Sequence, residues 1–218
     1  MILPRAFYSR PTLTVAPDLL GKVLVHRSPE GLTAGAIVEA EAYIGEDDPA
    51  CHASAGLTPR TAPLFGPPGH AYVYLNYGIH FLFNVVTEED GHPAAVLVRA
   101  LEPLEGLPLM RRRRARDRRS GMVPDHELCR GPGALARAMG IDLRHNRADL
   151  CEAGQGGRRR PSGLSGLYLE DRGIRFEPIA WSARVGVSAG ADRPWRCYVA
   201  GCSSVSGRRE QRVTAEES

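Results

Sequence analysis

Apolar and polar positions alternate most sharply in AYVYLNYGIHFLFNVVT, residues 71–87, where a period of two is interrupted once, at Gly78. Side chains of a strand point to opposite faces in turn. The stretch therefore predicts two antiparallel strands, 71–77 and 79–87, with Tyr77 at the turn between them. AAVLVRALEP, beginning at Ala94 after the turn sequence EEDGHP, predicts a third strand, and earlier strands are predicted at 22–26 and 33–44. LYLEDRG, IAWSARVGVSAG and WRCYVAG add strands or strand pieces later in the chain. A meander of this kind is an antiparallel sheet, not a doubly wound parallel one.

Helical spacing is scarcer. A Pro- and Asp-initiated turn is predicted around 16–20, and PLEGLPLMRRRRARDRRS predicts a helix after the meander. ALARAMGI predicts a short helix closed by Gly140. Residues 45–69 are rich in Gly, Pro, Asp and small side chains, so they read as a long ordered loop, and loops of that length inside a domain usually carry function. No internal repeat is visible. One domain over 1–204 is expected, followed by a flexible C-terminal tail at 205–218.

Composition narrows the class. A chain of 218 residues with 43% hydrophobic and 24% charged residues is ordinary for a globular protein. No apolar run approaches the roughly 18 residues needed to cross a bilayer, and the first residues carry no secretory pattern, so a cytoplasmic protein is expected. Five scattered cysteines without a CxxC pair predict reduced thiols and no metal site. The net charge of +3 points weakly to a polyanionic partner. Of the 28 basic residues, all but Lys22 are arginines, and seven of them fall in RRRRARDRR at 111–119. A coding bias accounts for the arginine excess as a whole; the local run reads either as a solvated helix face or as a phosphate contact.

Candidate chemistry begins in VEAEAYIGEDDPACH. On a strand, Glu39, Glu41 and Tyr43 share one face and Val38, Ala40 and Ala42 the other. The two acids read as solvent-facing partners of arginines, or as a poised base if aromatic neighbours such as Tyr43 and His52 strip their water. Tyr72, Tyr74 and Tyr77 lie within six residues. Tyrosines suit strands, which suffices for Tyr72, whereas a tyrosine beside glycine at a hairpin tip is suited to wedging between bases and the rings below it to stacking on a purine. Arg99 sits among apolar strand residues and needs an anion, with Glu41 or Glu39 nearest by topology.

The runs LLGKVLV, IVEAEAYIGEDDPACH, TPR, FGPPGHAYVYLNYG, FNVV, AVLVRALEPLEG, ELCRGPG and ARVGV, in this order, resemble the alkyladenine (3-methyladenine) DNA glycosylase family over residues 19–201. The resemblance implies an α+β fold, a single domain built on a curved, mainly antiparallel β-sheet with a protruding hairpin and flanking helices. It implies Glu41 as the base that activates a hydrolytic water, with Arg99 and the backbone carbonyl of Val185 holding that water. Tyr43 and Tyr74 would sandwich an extruded base, His52 would contact its edge or the adjoining sugar phosphate, Ala50 would join the substrate site, and Asn84 would crowd the pocket floor. Tyr77 would fill the gap left in the duplex, with Ile79, Thr58, Arg60 and Arg130 contacting DNA. No cofactor and no metal are implied. The expected partner is double-stranded DNA containing damaged purines, bound by a monomer. Thr61, Ala134 and Asn76 depart from the family's pattern in segments that would meet DNA, leaving Arg60, Arg130 or the Arg111 cluster to hold phosphates.

The physical logic runs the same way. A base inside a duplex must be flipped out before its glycosidic bond can be reached, and bond breaking builds positive charge on the sugar that a carboxylate stabilises. Schiff-base lyase chemistry normally uses lysine, and Lys22 alone is available, so hydrolysis without strand cleavage is expected. Two other readings remain. Glu39 and Glu41, about 6 to 7 Å apart along a strand, fit the spacing of a sugar-cleaving pair, but both would approach from one side of the bond. A nucleic-acid binding module without catalysis would use the same arginines and tyrosines.

Overall fold

The computed structural model describes residues 1–115, 122–151 and 166–207. Two short helices, α1 (Arg5–Tyr8) and α2 (Thr12–Asp18), lead into β1 (Val23–Ser28) and β2 (Gly31–Ile44). The loop that follows is folded around 3₁₀ turns at His52–Ala55 and Ala62–Phe65. It leads to the hairpin β3 (Ala71–Asn76) and β4 (His80–Val86), then to β5 (Ala94–Glu105). Two helices come next, α3 (Leu107–Arg114) and α4 (Pro132–Met139), and the strands β6 (Gly166–Glu170), β7 (Ile179–Ser182) and β8 (Arg196–Val199) complete the described elements. The expected meander and both expected helices are present, with strand ends shifted by a residue or two.

All strand pairs are antiparallel, in the order β3-β4-β5-β2-β1-β6, with β8 added to β2 and β7 to β8. The fold is thus the α+β architecture expected: one curled antiparallel sheet with helices packed on it. β2 explains the curl. Its partner along one edge is β5 from Ala34 to Ile44, but along the other it is β1 as far as Ala36 and β8 from Glu39 to Glu41. The register against β5 slips between Ile37 and Glu39, and a bulge bends a strand and tightens its twist.

One sheet face meets α2 and α4 through Val15, Leu19, Leu24, Ile37, Phe83, Leu101, Leu135 and Met139, all fully buried. Burial of such side chains supplies about 1.5–3 kcal/mol each before chain entropy is counted. Entry into α3 requires glycine at position 106, where φ is +77° and a Cβ would lie 2.1 Å from the carbonyl oxygen of Leu32.

Of the two readings of the Glu39–Glu41 face, the solvent-facing one does not hold: every residue from Thr33 to Ala42 is buried, with β8 paired to Glu39–Glu41 and Ser206 bonded to Glu39. Packing also continues past residue 204. Val205 packs against the buried cluster of Val38, Ala100 and Val199, and Ser206 is itself buried. The rest of the expected tail, 208–218, lies outside the described residues, as do 116–119 of the arginine run.

Candidate active site

Cross-strand register assembles the site. Tyr72 lies opposite Asn84, Asn84 opposite Leu97, and Leu97 opposite Glu41. Directly paired residues share a sheet face, so these four form a row across β3, β4, β5 and β2. One step of two residues along each strand brings in Tyr74, Arg99 and Tyr43. Together with His52 and Ala50 from the 45–69 loop and Val185 from the segment after β7, they enclose a cavity of about 590 Å³.

Aromatic rings make the walls. Tyr72 and Tyr74 are stacked at 5.3 Å between centroids, and His52 meets Tyr74 edge-on at 4.5 Å. His52 Nδ1 and the Tyr72 hydroxyl share a 2.8 Å hydrogen bond. Burial, with the charge of Arg60 second, pushes the His52 pKa below its usual value, so the ring is neutral at pH 7. Asn84 Nδ2 donates to the Tyr72 carbonyl at 3.0 Å, which pins the amide against the cavity.

Glu41 is fully buried, immediately behind this lining. Its three hydrogen-bond donors all border the cavity. The Tyr43 hydroxyl donates to Oε2 at 2.9 Å, Arg99 Nη1 donates to Oε2 at 3.2 Å, and the Val185 N–H donates to Oε1 at 2.7 Å. The Val185 group on the carboxylate is therefore its N–H. Burial opposes the charge of Arg99, but the carboxylates of Glu41 and Glu39 outweigh it and raise the Arg99 pKa. Burial, reinforced by Glu41, also raises the Tyr43 pKa, so its phenol keeps its proton and stays a donor.

The hairpin tip stands at the mouth. Tyr77 and Gly78 take φ of +49° and +71°, and Ile79 N–H closes the turn on the Asn76 carbonyl, the geometry of a two-residue turn with both central residues left-handed. Tyr77 is 89% exposed and Ile79 65%. A bulky side chain in a left-handed conformation, in open solvent, gains nothing from packing.

The remaining expected DNA contacts are outside the cavity. Arg60 is exposed, with its guanidinium 5.5 Å from the Tyr74 ring centre. Thr58 and Thr61 bond to each other, and Thr61 also donates to the Gly56 carbonyl, so this buried departure from the family's pattern closes a turn. Arg130 Nε donates to the Val205 carbonyl. Ala134 and Asn76, the other departures, both border the cavity. In the arginine run, Arg111 pairs with Asp125, and Arg112 and Arg113 pair with Glu30. Those three guanidinium groups are held by the protein's own carboxylates.

Comparison with known proteins agrees with this geometry. The sequence profile described as methylpurine-DNA glycosylase matches residues 6–203. The chain belongs to the methylpurine-DNA glycosylase family. A relative from Methanocella arvoryzae is 50% identical over 210 residues, covering 95% of this chain and 96% of its own. One from Salinibacter ruber is 46% identical over 215 residues, covering 94% and 96%. One from Burkholderia lata is 44% identical over 206 residues, covering 94% and 91%. All three carry the name "Putative 3-methyladenine DNA glycosylase". The resemblance drawn from the motifs is thereby borne out, and family membership supports a DNA glycosylase for alkylated bases.

Sequence reasoning missed several residues around the site of this family member. Arg184 is buried between Tyr43 and Trp195, 4.7 and 5.1 Å from their ring centres. It donates to Asp48 at 2.5 and 2.8 Å and to the Ala42 carbonyl, which anchors the backbone that presents Val185. Arg196 and Ser206 were missed as well, and both bond to Glu39. Tyr72, read as an ordinary strand tyrosine, orients His52. Among the described residues no cluster of His, Cys, Asp and Glu is arranged to hold a metal ion, and no helix is long and apolar enough to cross a membrane.

Proposed function

We propose that this protein is a monofunctional DNA glycosylase that hydrolyses the N-glycosidic bond of alkylated and deaminated purines extruded from duplex DNA. The substrates are of the 3-methyladenine, 7-methylguanine, hypoxanthine and ethenoadenine class. The observation that carries the reading is a cavity walled by Tyr43, His52, Tyr72 and Tyr74, with the buried carboxylate of Glu41 directly behind it and an exposed tyrosine at its mouth.

A purine alkylated at N3 or N7 is a cation, and electron-rich phenol faces attract it. His52, being neutral, adds no opposing charge. Tyr77 occupies the space the flipped nucleotide vacates, offsetting a few kcal/mol of lost stacking. A carboxylate offers about four acceptor positions, and three on Glu41 are filled by Tyr43, Arg99 and Val185. The fourth takes the water. As the bond from C1′ to the base nitrogen breaks, its electron pair leaves with the purine, which neutralises an alkylated cation and turns a neutral lesion into an anion that takes its proton from solvent; the anionic Glu41 stabilises the developing oxocarbenium ion, and the water oxygen bonds to C1′ while its proton passes to Glu41. The products are free base and an abasic site. Asn84 crowds the exocyclic amino group of normal guanine.

Hydrolysis without lyase activity is supported by the amines. Lys22 Nζ is bound to Asp171 at 2.6 Å and the amino group of Met1 donates to the Asp171 carbonyl, so both are engaged at β1 and β6, across the sheet from the cavity. The protein acts as a monomer in the cytoplasm, with duplex DNA as its partner and no cofactor.

The test is base release from a duplex carrying one hypoxanthine or one methylated purine. Free base and an uncut abasic strand are expected, and Glu41→Gln abolishes release while duplex binding persists. Wild-type release by that variant removes Glu41 as the base, and binding without any release by the wild type leaves only a nucleic-acid binding module.

A further inference from the structure

Glu39 has no solvent exposure and accepts four hydrogen bonds. Arg99 Nε donates at 2.9 Å, Arg196 Nε at 2.8 Å, the Ser206 N–H at 2.7 Å and Ser206 Oγ at 2.9 Å. Arg99 in turn spends every nitrogen. Its Nε goes to Glu39, Nη1 to Glu41 and Nη2 to Ser206 Oγ. A planar guanidinium tied along three directions cannot rotate. Arg196 is held likewise, by Glu39, Ser182 Oγ and the Ser206 carbonyl. Two carboxylates and two guanidinium groups, all buried, thus balance one another.

We infer that Glu39, with Arg196 and Ser206, is a positioning unit that fixes the Arg99 guanidinium, so that Arg99 holds the Glu41 carboxylate in the orientation that takes a proton from water. The inference rests on the proposed hydrolytic role of Glu41. The groups facing Glu41 are Tyr43 on its own strand, Tyr74 on β3, Arg99 on β5, and Arg184 and the Val185 N–H from the segment after β7. Those facing Glu39 are Arg99, Arg196 and Ser206, with Cys197 nearby. Glu39 is the one anion that competes with Glu41 for Arg99 among these described contacts. Stability alone does not require such an arrangement, since buried ion pairs are often replaceable by apolar groups at no loss.

The experiment is single-turnover base release by Glu39→Gln near neutrality, beside its affinity for a duplex bearing an uncleavable abasic-site analogue. The rate near neutrality is expected to fall about tenfold with affinity unchanged. A rate and an affinity that fall together indicate a purely structural role and overturn the inference, as does a wild-type rate. Should Glu39→Gln fail to fold, Ser206→Ala removes only the hydroxyl shared by Arg99 and Glu39. It is expected to slow release about threefold to tenfold at unchanged affinity, and no slowing overturns the inference. Glu41→Gln is run in parallel: if it releases base, the proposed function fails, whereas if it is inert while Glu39→Gln behaves as wild type, only the positioning role fails.

Discussion

The backbone N–H of Val185 and Oε1 of Glu41 lie 2.7 Å apart although 144 residues separate them in the chain. A main-chain donor cannot be removed by trimming a side chain, so Val185→Ala is expected to keep base release within about threefold of wild type. Val185→Pro deletes the donor. A hydrogen bond to a charged group is worth about 1.5–3 kcal/mol, so release is expected to fall about tenfold to a hundredfold, measured under single turnover at matched folded fraction.

Arg184 and Asp48 form an ion pair with both side chains fully buried. Burial alone would raise the Asp48 pKa, but the hydrogen bonds from Arg184 and from the Ala50 and Ile44 N–H groups outweigh it and lower it. Arg184→Met strands that carboxylate and is expected to cost about 3–5 kcal/mol in urea unfolding. Adding Asp48→Asn to Arg184→Met is expected to recover part of the loss, giving a coupling energy well above 1 kcal/mol in the double-mutant cycle.

Tyr77 combines a φ of +49° with almost complete exposure. Tyr77→Gly removes the left-handed penalty, about 1–2 kcal/mol, and loses no packing, so the midpoint of thermal unfolding is expected to rise or hold. Release from fully paired duplex is expected to drop while release from a lesion in single-stranded DNA changes little. A fall in both stability and single-strand activity would show that the ring supports the fold instead.

His26 and His145 bring their Nε2 atoms to 3.2 Å in the interior, and His26 Nδ1 meets the Met139 carbonyl at 2.6 Å. Burial lowers the His26 pKa to about 4 and lowers that of His145 as well. Because the folded value lies below the unfolded one, this contribution to stability is complete above pH 6.5 and is lost as pH falls toward 4. Urea unfolding between pH 7 and 4 is expected to lose up to about 3 kcal/mol from His26, with a flatter dependence in His26→Gln.

What could be read from the sequence was local. Alternation around Gly78 located the hairpin, and the spacing of Glu39, Glu41 and Tyr43 placed three side chains on one face. Arg99 demanded an anion and found both acids. What could not be read depends on strand order. Arg196 reaches Glu39 only because β8 takes over the edge of β2 where β1 ends, and no pattern within either segment encodes that exchange. Asp48 and Arg184 looked like loop residues because their burial follows from packing between Tyr43 and Trp195. The choice between a wet and a chemical face for β2 stayed open for the same reason: alternation gives faces, and only topology says what covers them.

Ser206 follows Glu39 by 167 residues and closes the buried charge cluster from the far end of the chain. A polypeptide still emerging from the ribosome, with the tyrosine hairpin and both acids already synthesised, lacks the serine that completes the set. Glu39 therefore waits for two of its four donors until residue 206 has been made, and its burial depends on a segment synthesised long after it.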